Sequence, residues 1–221
     1  MVTVLIDSNE CTIPDSVKDL DSFVEWKHSD EFPEFGRYWW IQGKVWADYD
    51  MEEVFSHNLV KTEFASVLRM LVKKSKIGKF FADGVLIKND EADLSGEPDG
   101  SFVSNASIQS GRVEFVQRKK GRCTIIEGSP DMVLEIISRS SVRKDSVVLR
   151  QAYWLAGVSE YWMVDARTPD VTFHIFRRTS RGFQAVRSNE GWIKSAVFGN
   201  SFKLVRSDDE LLLPEFSLET R

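Results

Sequence analysis

The chain has 221 residues, 42% of them hydrophobic, and a formal net charge of −5. This is enough apolar material for one sizeable folded core, which excludes a disordered chain. No apolar run is long enough to cross a bilayer and no N-terminal targeting signal is read, so a cytoplasmic, non-membrane chain is expected. Cys11 and Cys123 form no CxxC pair, which fits a reduced compartment without structural zinc.

The charge is unevenly placed. Residues 1–36 hold nine acidic and two basic side chains, residues 207–221 hold five and one, and residues 37–206 are left with a net +6. The expected organisation is an acidic N-terminal extension (1–36), a main domain (37–206) and an acidic C-terminal tail (207–221). A basic middle permits a polyanionic partner.

In chain order, Ser16 to Trp26 is a short helix candidate inside a lead-in broken by Pro14, Pro33 and Gly36. Tyr38 to Trp46 reads as a hairpin with Gln42-Gly43 near its turn. Residues 52–76 place Val60, Phe64, Val67, Leu68 and Leu71 at helical spacing, with Lys61, Arg69, Lys73 and Lys74 off that stripe. His57 falls in the first turns of this helix, and Gly78 is read as its stop. Strands are expected over Phe80 to Ile87 and Gly100 to Val103. Val113 to Val116 and Cys123 to Ile126 flank the basic run Arg118 to Arg122, read as an exposed hairpin tip. Gly128 to Asp165 reads as strand, helix and parallel strand, with Gly157 as the helix C-cap and a right-handed crossover. Short strands follow over Val171 to Phe176, Phe183 to Val186 and Phe202 to Val205. The tail from Ser207 is read as peripheral.

Two carboxylates carry the candidate chemistry. Glu135 sits near the middle of the apolar strand Asp131 to Ile137, where a lone charge is costly unless paired or bound to a cation. Asp99 opens a strand after Pro98. If those strands pair, both carboxylates converge on one edge of the sheet. With a backbone carbonyl and waters they form a ligand set for a hard divalent ion, typically Mg²⁺. Asp131 is either a third carboxylate or the turn residue of Ser129-Pro130-Asp131. The alternative reading of Glu135 is a buried partner for Arg139 or Arg150, and that of His57 is a packed helix residue. There is no phosphate-binding glycine loop, no GxSxG elbow and no His/Cys zinc cluster.

Glu97-Pro98-Asp99, the run Pro130 to Ser138, Asp145, Tyr153, Gly157-Val158 and Glu160 to Asp165 together resemble the Uma-two-type restriction endonuclease family of the PD-(D/E)XK nuclease superfamily. The Tyr38 to Trp46 hairpin, the helix opening with His57, Gly191 to Ser195 and Phe198-Gly199 resemble it too, and the likeness spans roughly residues 37–206. It implies an α/β restriction-endonuclease-like core, with a mixed central β-sheet flanked by helices and extra β-hairpins. It also implies a Mg²⁺ or Mn²⁺ site, with Asp99 on the PD aspartate and Glu135 on the D/E position. Asp131 would be a further matched position and the Ile136 carbonyl a backbone ligand.

The resemblance departs at the lysine. Ile137 and Leu149 stand where a lysine is expected, and Lys144 and Arg150 are the basic residues nearby that could substitute. The first functional expectation is therefore a Mg²⁺-dependent endonuclease hydrolysing DNA phosphodiester bonds. The alternative is a catalytically weak or inactive module of the same fold, acting in nucleic-acid binding or protein assembly. A third reading is an oligomerisation domain with Trp39, Trp40 and Trp46 as a homodimer face.

Overall fold

The structure, a computed structural model, describes residues 2–6, 9–117 and 122–221, with side chains from Ile13 onward. The largely apolar run of the second half becomes a central strand, β11 (Met132–Ile136), buried along its length with Glu135 inside it. It runs parallel to β12 (Glu160–Asp165) and antiparallel to β8 (Gly100–Ser104). Outward from these lie β5 (Gly78–Ala82) on one side and β13 (Thr172–Thr179) and β14 (Gly182–Ala185) on the other, giving a six-stranded mixed sheet.

A second six-stranded sheet has the order β4-β3-β7-β6-β10-β9. Its strands are β3 (Arg37–Ile41), β4 (Lys44–Asp48), β6 (Leu86–Asn89), β7 (Leu94–Gly96), β9 (Val113–Gln117) and β10 (Cys123–Gly128). The β3–β4 turn falls where the sequence put it: Gln42 and Gly43 both have positive φ, 50° and 74°, the conformation a two-residue hairpin favours. β9 and β10 form the expected hairpin. Of the basic run at its tip, residues 118–121 lie outside the described residues.

The run Phe80 to Ile87 is not one strand. Asp83 and Gly84 break it, and β5 and β6 enter different sheets. The helix expected over residues 52–76 begins with a π-helical turn, Val54–Leu59, and continues as α2 (Val60–Ser75). Its stop is Lys76 in the left-handed region, whose N–H bonds the Val72 carbonyl, while Gly78 begins β5. The crossover helix has the same construction, a π-helical turn Lys144–Leu149 followed by α4 (Arg150–Leu155).

The acidic ends are structured. An N-terminal hairpin pairs β1 (Val2–Ile6) with β2 (Asn9–Ile13). Helix α1 (Leu20–Lys27) is capped reciprocally by Asp19 and Ser22. It buries Phe23, Val24 and Trp26 in a cluster with Tyr38, Trp40, Leu86 and Ile125. At the other end the tail is not peripheral: β16 (Ser201–Asp208) pairs with β17 (Pro214–Thr220). Phe216 and Leu218 of β17 join the core formed by α2 and the β11 sheet, because alternate residues of that tail are apolar and face inward. A short strand, β15 (Ile193–Lys194), completes this third sheet.

Trp39 and Trp40, read as part of a dimer face, are buried within the chain. Trp39 lies so close over Gly96 that a Cβ there would stand 1.9 Å from Trp39 Cδ1. Gly96→Ala should therefore displace the indole and cost roughly 1–3 kcal/mol, as overpacking does. The melting temperature should fall by several degrees, since 1 kcal/mol is about 2–4 °C in a chain of this size. A melting curve unchanged from wild type would show that this contact does not constrain the sheet.

Candidate active site

The site begins with a strand register. Leu134 of β11 lies opposite Gly100 of β8, so the next rung sets Asp99 opposite Glu135, and directly opposed residues share a face. Both carboxylates are buried, Asp99 at 3% and Glu135 at 2% exposure. Asp99 Oδ2 accepts the Ile136 N–H at 2.8 Å, and Glu135 Oε1 accepts the Tyr153 hydroxyl at 2.7 Å.

The π-helical turn after β11 delivers two more buried charges. Lys144 Nζ lies 2.8 Å from Asp145 Oδ1 and 3.5 Å from the centroid of the Trp39 ring. The ammonium and the Asp145 carboxylate form a buried ion pair. Asp99, Glu135, Ile136, Lys144 and Asp145 all line one pocket of about 30 Å³, a volume suited to one or two waters. The other π-helical turn brings His57, whose Nε2 lies 3.5 Å from Asp99 Oδ2. Single π-turns are frequent at functional sites because the extra residue re-aims the side chains around it.

A second ring of charge holds the first. Arg37 donates to Asp99 Oδ1 at 2.9 Å, to Asp83 Oδ2 at 2.8 Å, and to Glu52. Lys61 donates to Asp83 Oδ2 at 2.7 Å and also to Glu52. The pocket opens into a cleft of about 640 Å³ along Asp50, Met51, Glu52, His57 and Ser138, and Arg139, Arg167 and Arg206 line that cleft.

These contacts push the titrations apart. Burial on its own would raise the Asp99 carboxyl, but the His57 hydrogen bond and charge, the Arg37 charge and the Ile136 N–H hold it down at about 2. Glu135 moves the other way. Burial, then the charges of Asp145 and Asp99, drive it well above its ordinary value, against opposition from Lys144 and Tyr153. Asp145 is raised by burial, with Lys144 and Ser141 opposing. Burial works against a charged His57, yet the Asp99 and Glu52 carboxylates win and its pKa rises.

The structure thus brings Asp99, Glu135 and Lys144 together and leaves two named candidates outside. Asp131 precedes β11, four residues and so roughly 13 Å along the strand from Glu135. Its carboxylate accepts from Arg112 at 2.6 Å, Ser107 at 2.9 Å and the Ser104 N–H at 2.6 Å, which ties α3 (Asn105–Gln109) to the sheet. Arg150 bonds the Phe183 carbonyl at 3.0 Å and stacks over Phe176, away from the pocket. Ile137 and Leu149 are buried apolar residues. Residue reading missed Arg37, Glu52, Lys61 and Asp83, whose convergence depends on four separate segments. The available signal for Asp145 was its place beside Lys144.

Among the described residues no three His, Cys, Asp or Glu side chains are grouped closely enough to hold a metal ion by themselves. The donor set nevertheless fits a hard divalent cation. Three buried carboxylates face one small pocket, and two of the three are held up in pKa partly by their neighbours' charge. A cation relieves that repulsion.

Metal-free protein should therefore carry a measurable cost from Glu135. Its folded-state pKa lies above the ordinary 4.5, so as pH rises the unfolded chain releases that proton first, and stability falls until the folded group ionises too. Glu135→Gln should melt several degrees above wild type at pH 7 without metal and should lose that downward slope above pH 5. A lower melting temperature for the variant would show that the carboxylate stabilises the fold through Tyr153 instead.

The family model Uma2, described as "Putative restriction endonuclease", matches residues 20–205. The match begins at α1, ahead of the β3–β4 hairpin where the sequence resemblance was first traced. A crystal structure from Anabaena variabilis ATCC 29413, described as a "putative nuclease belonging to DUF820", is similar with a TM-score of 0.61 at 19% identity, covering 82% of this chain and 90% of that chain. At that identity the likeness is one of fold, the restriction-endonuclease-like α/β fold expected from the sequence. No curated protein matches the chain, and no helix among the described residues is long and apolar enough to cross a membrane. With its match running from α1 into β16, the chain belongs to the Uma2 family of restriction-endonuclease type.

Proposed function

We propose that this chain is a divalent-metal-dependent endonuclease acting on DNA phosphodiester bonds. The observation that carries the reading is the opposed Asp99–Glu135 rung facing Lys144 and Asp145 in one pocket. Asp99, Glu135 and the Ile136 carbonyl would hold Mg²⁺ or Mn²⁺, with Asp145 as a further oxygen donor. A bound ion of this kind polarises a phosphodiester and lowers the pKa of an attacking water.

The remaining work falls to the chain's own groups. Asp99 stays ionised across the physiological range and so presents a permanent anionic donor. Lys144 supplies a cation beside the carboxylates, where it steadies a phosphate oxygen and orients the water. It comes from the turn after β11 and so offers the charge that Ile137 and Leu149 do not. The cation–π contact with Trp39 and the ion pair with Asp145 fix its ammonium without consuming all its donors. Arg139, exposed on the cleft, is suited to a backbone phosphate.

The alternative of an inactive module has two motives, the missing lysine and the acidic ends; the place of Lys144 in the pocket weakens the first. Nicking of supercoiled DNA with Mg²⁺ or Mn²⁺ tests the choice, with RNA as a parallel substrate. Asp99→Asn and Glu135→Gln should abolish cleavage. Lys144→Met should reduce it by roughly 10²–10³, the usual effect of removing one charge-stabilising donor. Arg150→Ala should leave the rate within a few-fold. Cleavage that survives both carboxylate substitutions would sink the assignment, and cleavage confined to RNA would move the substrate.

A further inference from the structure

We infer that the cleft beside the candidate metal pocket takes an unpaired base, so that the preferred substrate is DNA with a bulged or single-stranded nucleotide next to the scissile phosphate. The inference rests on the nuclease reading above and narrows its substrate. The two cavities are continuous, with Asp50, Met51, Glu52, His57 and Ser138 lining both. Asp99 and Glu135 are almost wholly buried, so a phosphate approaches them across that shared rim. The cleft, at about 640 Å³, has the volume of a site for one small molecule. A nucleotide belongs to that size class and a duplex does not.

Met51 stands on the rim and is 94% exposed, and Val54 of the same loop is also largely in water. A long apolar side chain left in water beside such a pocket is of the kind that DNA-binding proteins insert between base steps. The loop that carries it is held on both sides. On one side Asp48 Oδ1 accepts the Asp50 N–H at 3.2 Å and the Ser140 hydroxyl at 2.6 Å. On the other, Glu52 is bound by Arg37, by Lys61 and, at 3.0 Å, by the Asn58 amide. Glu53 accepts the Ser56 N–H at the start of the π-helical turn. Met51 is therefore projected from a fixed backbone.

Behind the rim the lining has a partner for each half of a nucleotide. Half-buried Phe55 and Pro214 and exposed Pro169 present apolar surface, on which a base stacks whatever its identity. Arg139, Arg167 and Arg206 line the same cleft. Both Asp165 oxygens accept from Arg167, at 2.9 and 2.7 Å. That pairing fixes the plane of a guanidinium on an exposed residue, and bases stack on such planes. Arg139 is exposed and suited to the phosphate. The acids of the cleft, Asp50, Glu52 and Glu53, all come from the Met51 loop, whereas the arginines come from three other segments. An intact duplex keeps its bases paired and stacked, and must lose both contacts to fill this surface. A nucleotide that is already unpaired has less to lose.

DNA substrates of one sequence test this: fully paired, with a single bulged nucleotide, with a short bubble, and single-stranded, each cut in Mg²⁺ or Mn²⁺. Those with unpaired nucleotides should be cut roughly tenfold or more faster than the paired duplex, in line with the stacking of one base. A 2-aminopurine at the bulge gives a second readout in Ca²⁺ that needs no cleavage. Its fluorescence should change on binding as the base leaves its neighbours, and should stay constant in the paired duplex. Met51→Ser, at an exposed side chain, should leave the melting curve unchanged, bring the preference for the bulge close to parity and silence the fluorescence change. Arg167→Ala should weaken both effects. Equal cutting of paired and unpaired DNA by wild type, or a preference that survives both variants, overturns the inference and leaves the nuclease reading standing. A fluorescence change at the bulge with no cutting of any substrate supports the cleft as a base site and sinks the nuclease reading. Failure to bind any of the DNAs overturns both, and a preference for unpaired RNA overturns the choice of DNA.

Discussion

Everything at the centre of this molecule depends on one rung of one sheet, where Asp99 and Glu135 face each other across β8 and β11. Two ionisable carboxyls out of water would each carry a desolvation penalty of several kcal/mol without compensation. The surrounding structure supplies that compensation unequally. Asp99 receives a guanidinium, an imidazole and a backbone N–H, and it ionises easily. Glu135 receives a phenol hydroxyl and two anionic neighbours, and it resists ionisation. Opposite environments for paired carboxyls separate their chemical roles more sharply than residue type does.

The compensation comes from elements far apart in the chain. β3 of one sheet sends Arg37, β8 and β11 of the other send the carboxylates, and two π-helical turns send His57 and Lys144. Trp39 is the joint. It packs closely over Gly96 on its own sheet and presents its ring to the Lys144 ammonium. The position of that cation is therefore set by the packing of an indole, and a local error in the β3–β7 pairing would reach the site.

The uneven charge of the chain has two structural meanings. Acidic side chains near the site, such as Glu52 and Asp83, are tied up by Arg37 and Lys61 in a dense ion-pair network. At the end of β16, Asp208 pairs with Arg206 and Asp209 caps the turn that carries the exposed leucines. The α2 helix separates these surfaces: its apolar stripe is buried against the β11 sheet, and its C-terminal basic residues remain exposed.

The sequence by itself determined the central strand, the crossover to β12 and the Gln42-Gly43 turn, each of which depends on local pattern. It named Asp99 and Glu135 as carboxylates that converge if their strands pair, and the tertiary structure supplied that pairing. The sequence also showed that Ile137 and Leu149 are not lysines. Only the tertiary structure decided that Lys144 enters the pocket while Arg150 turns to Phe176, because a π-turn shifts side-chain direction in a way no 3.6-residue periodicity reports. It alone excluded Asp131, whose place on the same face concealed a separation along the strand, and it alone found Arg37, Glu52, Lys61 and Asp83. Their meeting is a property of two sheets and a helix packed together, and no spacing along the chain encodes it.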